Sequence, residues 1–228
     1  MSEGQTAVVV GVGSGLGWAL VRRFADAGMR VAMAARREDK LKRLLASEPL
    51  EGVRPYACDA TDGRAVDGLF ERVCGELGEP DLVVFNAGTF EPGSVLDIDG
   101  ADFERCWRVG CLGGFHVGRA AARGMVARGQ GGTIVFTGAT AALRGSANFA
   151  NLAVPKFGLR ALAQSMAREL GPKGVHVAHV VIDGQIGTAA DDSRLAPEAI
   201  AGAYYQLHRQ HRSAWTQELD LRPWREKF

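Results

Sequence analysis

The chain has 228 residues, 46% of them hydrophobic and 23% charged, with 27 basic side chains against 26 acidic ones. That length suits one domain, and that composition excludes a disordered, collagenous or coiled-coil chain. A net charge of +1 gives no overall field toward nucleic acid or anionic lipid.

No apolar run approaches the roughly 20 residues needed to cross a bilayer. The N-terminal run MSEGQTAVVVG lacks the basic flank of a signal peptide, so a soluble, cytoplasmic chain is expected. Cys58, Cys74, Cys106 and Cys111 form no C-x-x-C pair, and the five histidines are scattered. No metal site is expected. The thiols read as reduced and mostly buried, and His176 and His179, in an apolar run, as structural.

In chain order the predicted elements alternate. Ala7–Val10 reads as a strand and Leu16–Ala27 as a helix. Val31–Ala35, Val53–Cys58 and Leu82–Phe85 read as further strands, with helices over Asp39–Ala46 and Ala65–Leu77 between them. A long helix is predicted over Ala101–Ala127, then a strand at Thr133–Thr137, a helix over Phe149–Leu170 and a strand at Val175–Ile182. Strands alternating with helices predict a doubly wound α/β domain, Rossmann-like, with a parallel sheet covered on both faces. No repeat or linker divides residues 1–228. Beyond Ile182 the pattern loosens into a loop (184–192), a short helix from Pro197 to about Arg209 and a last edge strand at Trp215–Leu221. Residues 184–213 are the expected substrate lid.

The first strand runs into Gly11-Val12-Gly13-Ser14-Gly15-Leu16-Gly17, and a helix follows at once. Glycines there let the chain turn sharply and let a phosphate approach the backbone. The helix start offers free N–H groups and partial positive charge. The spacing G-x-G-x-x-G fails, because Leu16 holds the third place; Gly11, Gly15 and Gly17 fit G-x-x-x-G-x-G. The second strand ends Ala34-Ala35-Arg36-Arg37. An acid at that tip would hold a ribose 2′-hydroxyl, whereas an arginine accommodates a 2′-phosphate. Arg36, with Arg37 as the alternative, therefore favours NADP(H) over NAD(H).

These motifs resemble the short-chain dehydrogenase/reductase family. The glycine turn is similar to its T-G-x-x-x-G-x-G, with Val10 in the Thr place. Asp59, beside Ala60, matches the family's aspartate near the adenine, and Asn86-Ala87-Gly88 its N-A-G. Gly184 and Thr188, flanking Ile186, match P-G-x-x-x-T, with Asp183 in the Pro place. The resemblance implies one nicotinamide-binding domain, a small-molecule substrate and a homodimer or homotetramer.

It also implies a catalytic Tyr four residues before a Lys, a Ser thirteen before the Tyr, and an Asn on the long helix. The Lys is Lys156. Leu152 stands in the Tyr place, Ala139 in the Ser place and Gly110 in the Asn place. The chain's tyrosines are Tyr56, Tyr204 and Tyr205, and none precedes a Lys by four. Leucine donates no proton and alanine stabilises no alkoxide. General acid catalysis is worth roughly 10²–10⁴-fold, so ordinary ketone reduction should be slow.

Three readings follow. The substrate needs no phenol acid, as an iminium or conjugated compound would not; or another group donates the proton, with Thr137, Thr140, Asn148, Asn151, Tyr204 and Tyr205 the candidates; or the chain binds NADP(H) without catalysis, as a regulatory or partner subunit. Asn148 also fits a helix N-cap. Glycines 110, 113, 114, 118 and 124 in the long helix predict close packing against another helix, read as a subunit interface along that helix and Phe149–Leu170 or as ordinary packing within the domain. Phe90, Ala139 and Leu152 suggest an apolar substrate pocket.

Overall fold

The computed structural model describes residues 4–226. Seven strands, β1 (Thr6–Val10), β2 (Arg30–Ala35), β3 (Val53–Ala57), β4 (Pro80–Phe85), β5 (Gly132–Thr137), β6 (Val175–Ile182) and β7 (Glu218–Leu221), form one sheet in the order β3-β2-β1-β4-β5-β6-β7. Every pairing is parallel. β1 and β6 are buried along their whole length, which is why they read as unbroken apolar runs. Pro55, which has no N–H to give, lies in the edge strand β3, where a missing donor is tolerated.

One face is covered by α1 (Leu16–Asp26), α2 (Glu38–Ser47) and α7 (Pro197–Arg209), the other by α3 (Gly63–Leu77), α5 (Gly113–Arg128) and α6 (Ala150–Leu170). Alternate strand residues feed the two layers: Val9, Val84 and Val135 face the first, Val10, Phe85 and Phe136 the second. Asp62 caps α3, accepting from the amides of Arg64 and Ala65, so the helix starts two residues before the predicted position.

The long helix is not continuous. α4 (Gly100–Trp107) passes through a π-helical turn, Arg108–Leu112, into α5. Its glycines serve the interior. A Cβ on Gly114 would lie 2.3 Å from Leu159 Cδ1 of α6, and one on Gly118 2.8 Å from Phe136. The close approach predicted from them is therefore made within the domain.

Residues 197–209 are not a free lid either. α7 packs on α1, with Ile200, Ala201, Tyr204 and Leu207 at 2% exposure or less. Of residues 184–213, Gly184 and Ile186 line the cavity beside Lys156. Cys58 and Cys106 are buried, Cys74 and Cys111 half-buried, and all four are free. Among the described residues no helix is long and apolar enough to cross a membrane, and no group of His, Cys, Asp or Glu could hold a metal.

The chain builds outward from β1 to β3, then crosses back to β4 and on to β7. The strand order thus reverses between β1 and β4. In open parallel sheets the crevice beyond the carboxyl ends at such a switch point is where ligands bind.

Candidate active site

At the switch point the chain turns on Gly11, whose φ is +97°. A Cβ there would lie 2.3 Å from the backbone nitrogen of Ala87, so only glycine fits. The amides of Gly11 and Val12 both donate to the Ala34 carbonyl, at 2.9 and 3.1 Å. Asn86 clasps the turn from β4: its backbone N donates to Val10 O at 2.8 Å and its Nδ2 to Gly11 O at 3.0 Å. Gly17 serves packing, since its Cβ would meet Val12 Cα at 2.8 Å. Gly13 and Gly15 face open space, and no side chain caps the start of α1. Free amides and the positive end of the helix dipole are thus presented to the crevice.

The crevice is a cavity of about 660 Å³. It is lined by Gly11, Gly13 and Ser14 of the turn, by Arg36 and Arg37 after β2, by Asp59 and Ala60 after β3, and by the run Asn86–Gly88 after β4. Asp59 is held in place by accepting from the Thr61 amide and hydroxyl, at 2.9 and 2.8 Å. Sequence reasoning missed Lys40 and Arg43, which line the same cavity. Their three-residue spacing beyond Arg36 and Arg37, on one side of α2, was the available signal. Glycines that leave phosphate-sized room, an uncapped helix start and a cationic end all fit a dinucleotide.

A second cavity, about 560 Å³, opens beside the first. Leu16, Asn86, Lys156, Gly184 and Ile186 of the expected residues line it, together with Phe90, Ala139, Phe149 and Leu152. Gly15, Gly17 and Thr188 line neither cavity; Gly17 is buried, and Gly15 and Thr188 are exposed.

Lys156 lines the second cavity, close to Gly88 of the first. It is 7% exposed, its Nζ donates to Thr137 O at 2.7 Å, and the same atom lies 3.7 Å from where a Gly88 Cβ would be. Burial pushes its pKa down to about 8. Gly110 faces Pro155 of α6: a Cβ would come within 2.9 Å of the ring, so a longer side chain at 110 would require this contact to give.

Other candidate donors fall out one by one. Thr140 lines the cavity, but its hydroxyl donates to Asp183, which Arg222 grips from the far side. The hydroxyl bond and then the guanidinium hold the Asp183 carboxyl below its usual range. Tyr204 is fully buried; its hydroxyl donates to Thr137 Oγ1 at 3.0 Å on the α1–α7 side of the sheet, and burial raises its pKa. Tyr205 packs on that same side under Arg23, 4.2 Å above its ring. Asn151 is buried with its Nδ2 on the Glu91 carbonyl, 3.3 Å away. Asn148 does not cap α6: it takes a left-handed φ of +65° two residues before the helix, and Phe149 holds the cap position.

The model of the family described as short chain dehydrogenase matches residues 5–199. The chain belongs to that family. Among solved structures, a short-chain dehydrogenase from Rhodopseudomonas palustris is 39% identical, with a TM-score of 0.87 over 97% of this chain and 100% of its own. A metagenomic short-chain oxidoreductase in complex with NADP is 28% identical, with a TM-score of 0.84 over 97% and 98% of the two chains. Among curated relatives, the 3-oxoacyl-(acyl-carrier-protein) reductase MabA of Mycobacterium bovis is 33% identical over 86% of this chain and 74% of its own length. The (21S)-21-acetoxyl-apo-melianone synthase of Melia azedarach is 35% identical over 77% of this chain and 65% of that protein. Members of this short-chain dehydrogenase family are oxidoreductases that use a nicotinamide cofactor, so the glycine cradle and the crevice around it have a defined occupant class.

Proposed function

We propose that this short-chain dehydrogenase is an NADP(H)-dependent oxidoreductase that works without the usual tyrosine. Lys156 is both the ribose-holding group and the proton donor for a small organic substrate. The observation that carries this reading is that Lys156 lines the substrate cavity with Leu152 and Ala139, while its Nζ lies beside Gly88 of the cofactor cavity. The preference for NADP(H) is supported by Arg36, Arg37, Lys40 and Arg43 around one end of the cofactor cavity. Asp59 is the one carboxylate among the described lining residues.

The nicotinamide, when bound, supplies a hydride. The ammonium of Lys156 can give the matching proton to a carbonyl oxygen, and with a pKa lowered to about 8 it is charged at neutral pH yet a far better acid than an ordinary lysine. The described lining of the substrate cavity holds Arg144 and Lys156 and no carboxylate. A positive lining repels a cation, so it favours an activated carbonyl over a preformed iminium. The apolar walls (Phe90, Phe149, Leu152, Ile186) exclude water and position the substrate, which alone can supply several kcal/mol.

A second reading rests on the hydrocarbon at 139 and 152: the fold binds NADP(H) and reports cofactor status or joins a catalytic partner. Mixing the purified protein with NADPH and panels of activated ketones, imines and enones separates the two. Turnover that disappears in Lys156→Met supports the enzyme. Tight NADPH binding with no turnover on any panel supports the binding protein. Calorimetry that registers no heat with NADPH or NADP⁺ overturns both.

Self-association belongs to this proposal. A groove of about 580 Å³ between α5 and α6 is lined by Phe115, Ala122, Val126, Leu162 and Met166. Phe115, Val126 and the nearby Phe157 are each more than a third exposed. A second copy covering this groove gives the homodimer or homotetramer, and light scattering at micromolar concentration checks it.

A further inference from the structure

The substrate end of the sheet contains a buried group with no part in the reaction above. His179 of β6 is 1% exposed. Its Nδ1 lies 3.1 Å from Glu218 Oε2 on β7. Arg160 of α6 holds that carboxylate with two contacts of 2.7 Å. The other ring nitrogen, Nε2, is buried without a hydrogen-bond partner. It points at the loop after β5, where a Cβ on residue 138 would lie 2.3 Å from it; glycine at 138 is what lets the ring come this close. The preceding residue, Thr137, is the one whose carbonyl accepts from Lys156 Nζ. An imidazole from the sheet and an ammonium from the helix thus converge on consecutive residues, the last of β5 and the first after it.

Donor counting shows what each offers the other. An ammonium carries three donors and no acceptor. Thr137 takes one. Arg160 keeps the Glu218 carboxyl below its usual range, so Glu218 is an anion and the imidazole gives it the Nδ1 proton. Nε2 is then a bare acceptor. The charged groups that face His179 are Glu218 from β7 and Lys156 and Arg160 from α6. Burial and the two cations oppose protonation of the ring, and Glu218 only partly offsets them.

We propose that His179, oriented by Glu218, is a positioning residue for Lys156. Its Nε2 accepts a hydrogen bond from the ammonium through one bridging water and holds the lysine in its charged form. The inference rests on Lys156 being the working group of the site, but its test needs neither cofactor nor turnover.

The chain has few lysines: Lys40, Lys42, Lys156, Lys173 and Lys227. An NMR titration of the full chain with isotope-labelled lysine side chains therefore reads Lys156 directly. In His179→Leu its pKa should fall by about one unit, a tenfold loss of proton affinity. In Glu218→Gln it should fall by less. His179→Gln, which returns an oxygen acceptor near the Nε2 position, should restore the native value. An unmoved or raised Lys156 pKa in a natively folded His179→Leu overturns the proposal. If that variant does not fold, an unmoved pKa in Glu218→Gln overturns it instead. Calorimetry with NADPH on the native chain tests the functional reading separately: no binding there sinks that reading and leaves the lysine titration as it stands.

Discussion

The two cavities at the carboxyl end of the sheet are built by different means. The cofactor side is mostly backbone. In the proposed reading, Gly11, Gly13 and the start of α1, clasped by Asn86, would meet a phosphate through amide groups and a dipole, and their geometry is fixed by glycine φ angles and strand pairing. The substrate side is side chains: Lys156, Leu152, Thr140 with Asp183, and Phe90, gathered from β5, α6 and the loops after β4 and β6. Where the chain packs as closely as at Gly11 and Gly17, a backbone site tolerates almost no change without loss of fold. A side-chain site can change its chemistry and keep its scaffold. On the proposed reading, that contrast is how the groups at 110, 139 and 152 could differ from the family pattern beside an intact cradle.

The largest effect should come from breaking the backbone side. In Gly11→Val the new Cβ would meet Ala87 N at 2.3 Å in a conformation with φ near +97°. The cost should be about 3 kcal/mol or more, seen as a lowered denaturant midpoint together with loss of NADPH binding. Gly13→Ala sharpens the point. Its Cβ meets nothing in the protein, so the fold should hold while NADPH affinity drops about tenfold or more, because the methyl occupies phosphate space.

On the side-chain side, Lys156→Met should abolish turnover, by about 10²–10⁴-fold, with NADPH binding weakened but present. The same change should stabilise the fold. The lysine's pKa is about 8 folded against 10.5 unfolded, so the unfolded state binds more protons between those values. The penalty is full below pH 8 and fades as the pH rises to 10.5. At pH 7 the gain should be about 1–3 kcal/mol, shrinking above pH 8. Native turnover should fall above pH 8, as the ammonium is lost. Leu152→Tyr combined with Ala139→Ser tests the same contrast by addition. If the scaffold is intact, reduction of simple ketones should rise by about 10²–10³-fold. Gly110→Asn should not help, because Pro155 closes that position to within 2.9 Å.

The same division governs what could be read from the sequence. All seven strands and the order of the helices were legible, because buried parallel strands are continuous apolar runs and each is bounded by glycine, proline or a polar turn. The glycine turn was legible for the same reason. The π-helical turn at 108–112 was not, since it carries no residue signature. The role of α7 was misread because Tyr204 and Ile200 look alike in sequence whether they face a cleft or a core. Only the packing of α7 on α1 decides it. The helix glycines predict close packing but do not say whether a second subunit or the same chain supplies it; Leu159 and Phe136 of the same chain fill the space. His176 and His179 were read as structural from their apolar neighbours, which fits His176, stacked on Trp215 at 4.9 Å. The link from His179 to Glu218 joins residues 39 apart, and no local pattern announces it.

The smallest expected effect concerns the exposed end of the cofactor cavity, and it decides between two adjacent residues. Arg36 and Arg37 both line the cavity, and both are exposed. Arg37 is also the cap residue of α2, in an extended conformation with no side-chain capping bond, so its direction is set by the helix start. Arg36, directly after β2, has no such constraint. A hydrogen bond between charged partners is worth roughly 1.5–3 kcal/mol, about 10–100-fold in affinity, and at an exposed position salt screens part of it. Arg36→Ser should therefore weaken NADPH binding about tenfold at moderate ionic strength and leave NADH binding unchanged, with Arg37→Ser having less effect on either. The reverse order would move the 2′-phosphate to Arg37. Equal loss for NADPH and NADH in both variants would mean that neither residue reads the phosphate, and that the cationic end, Lys40 and Arg43 included, attracts the dinucleotide only through its summed charge.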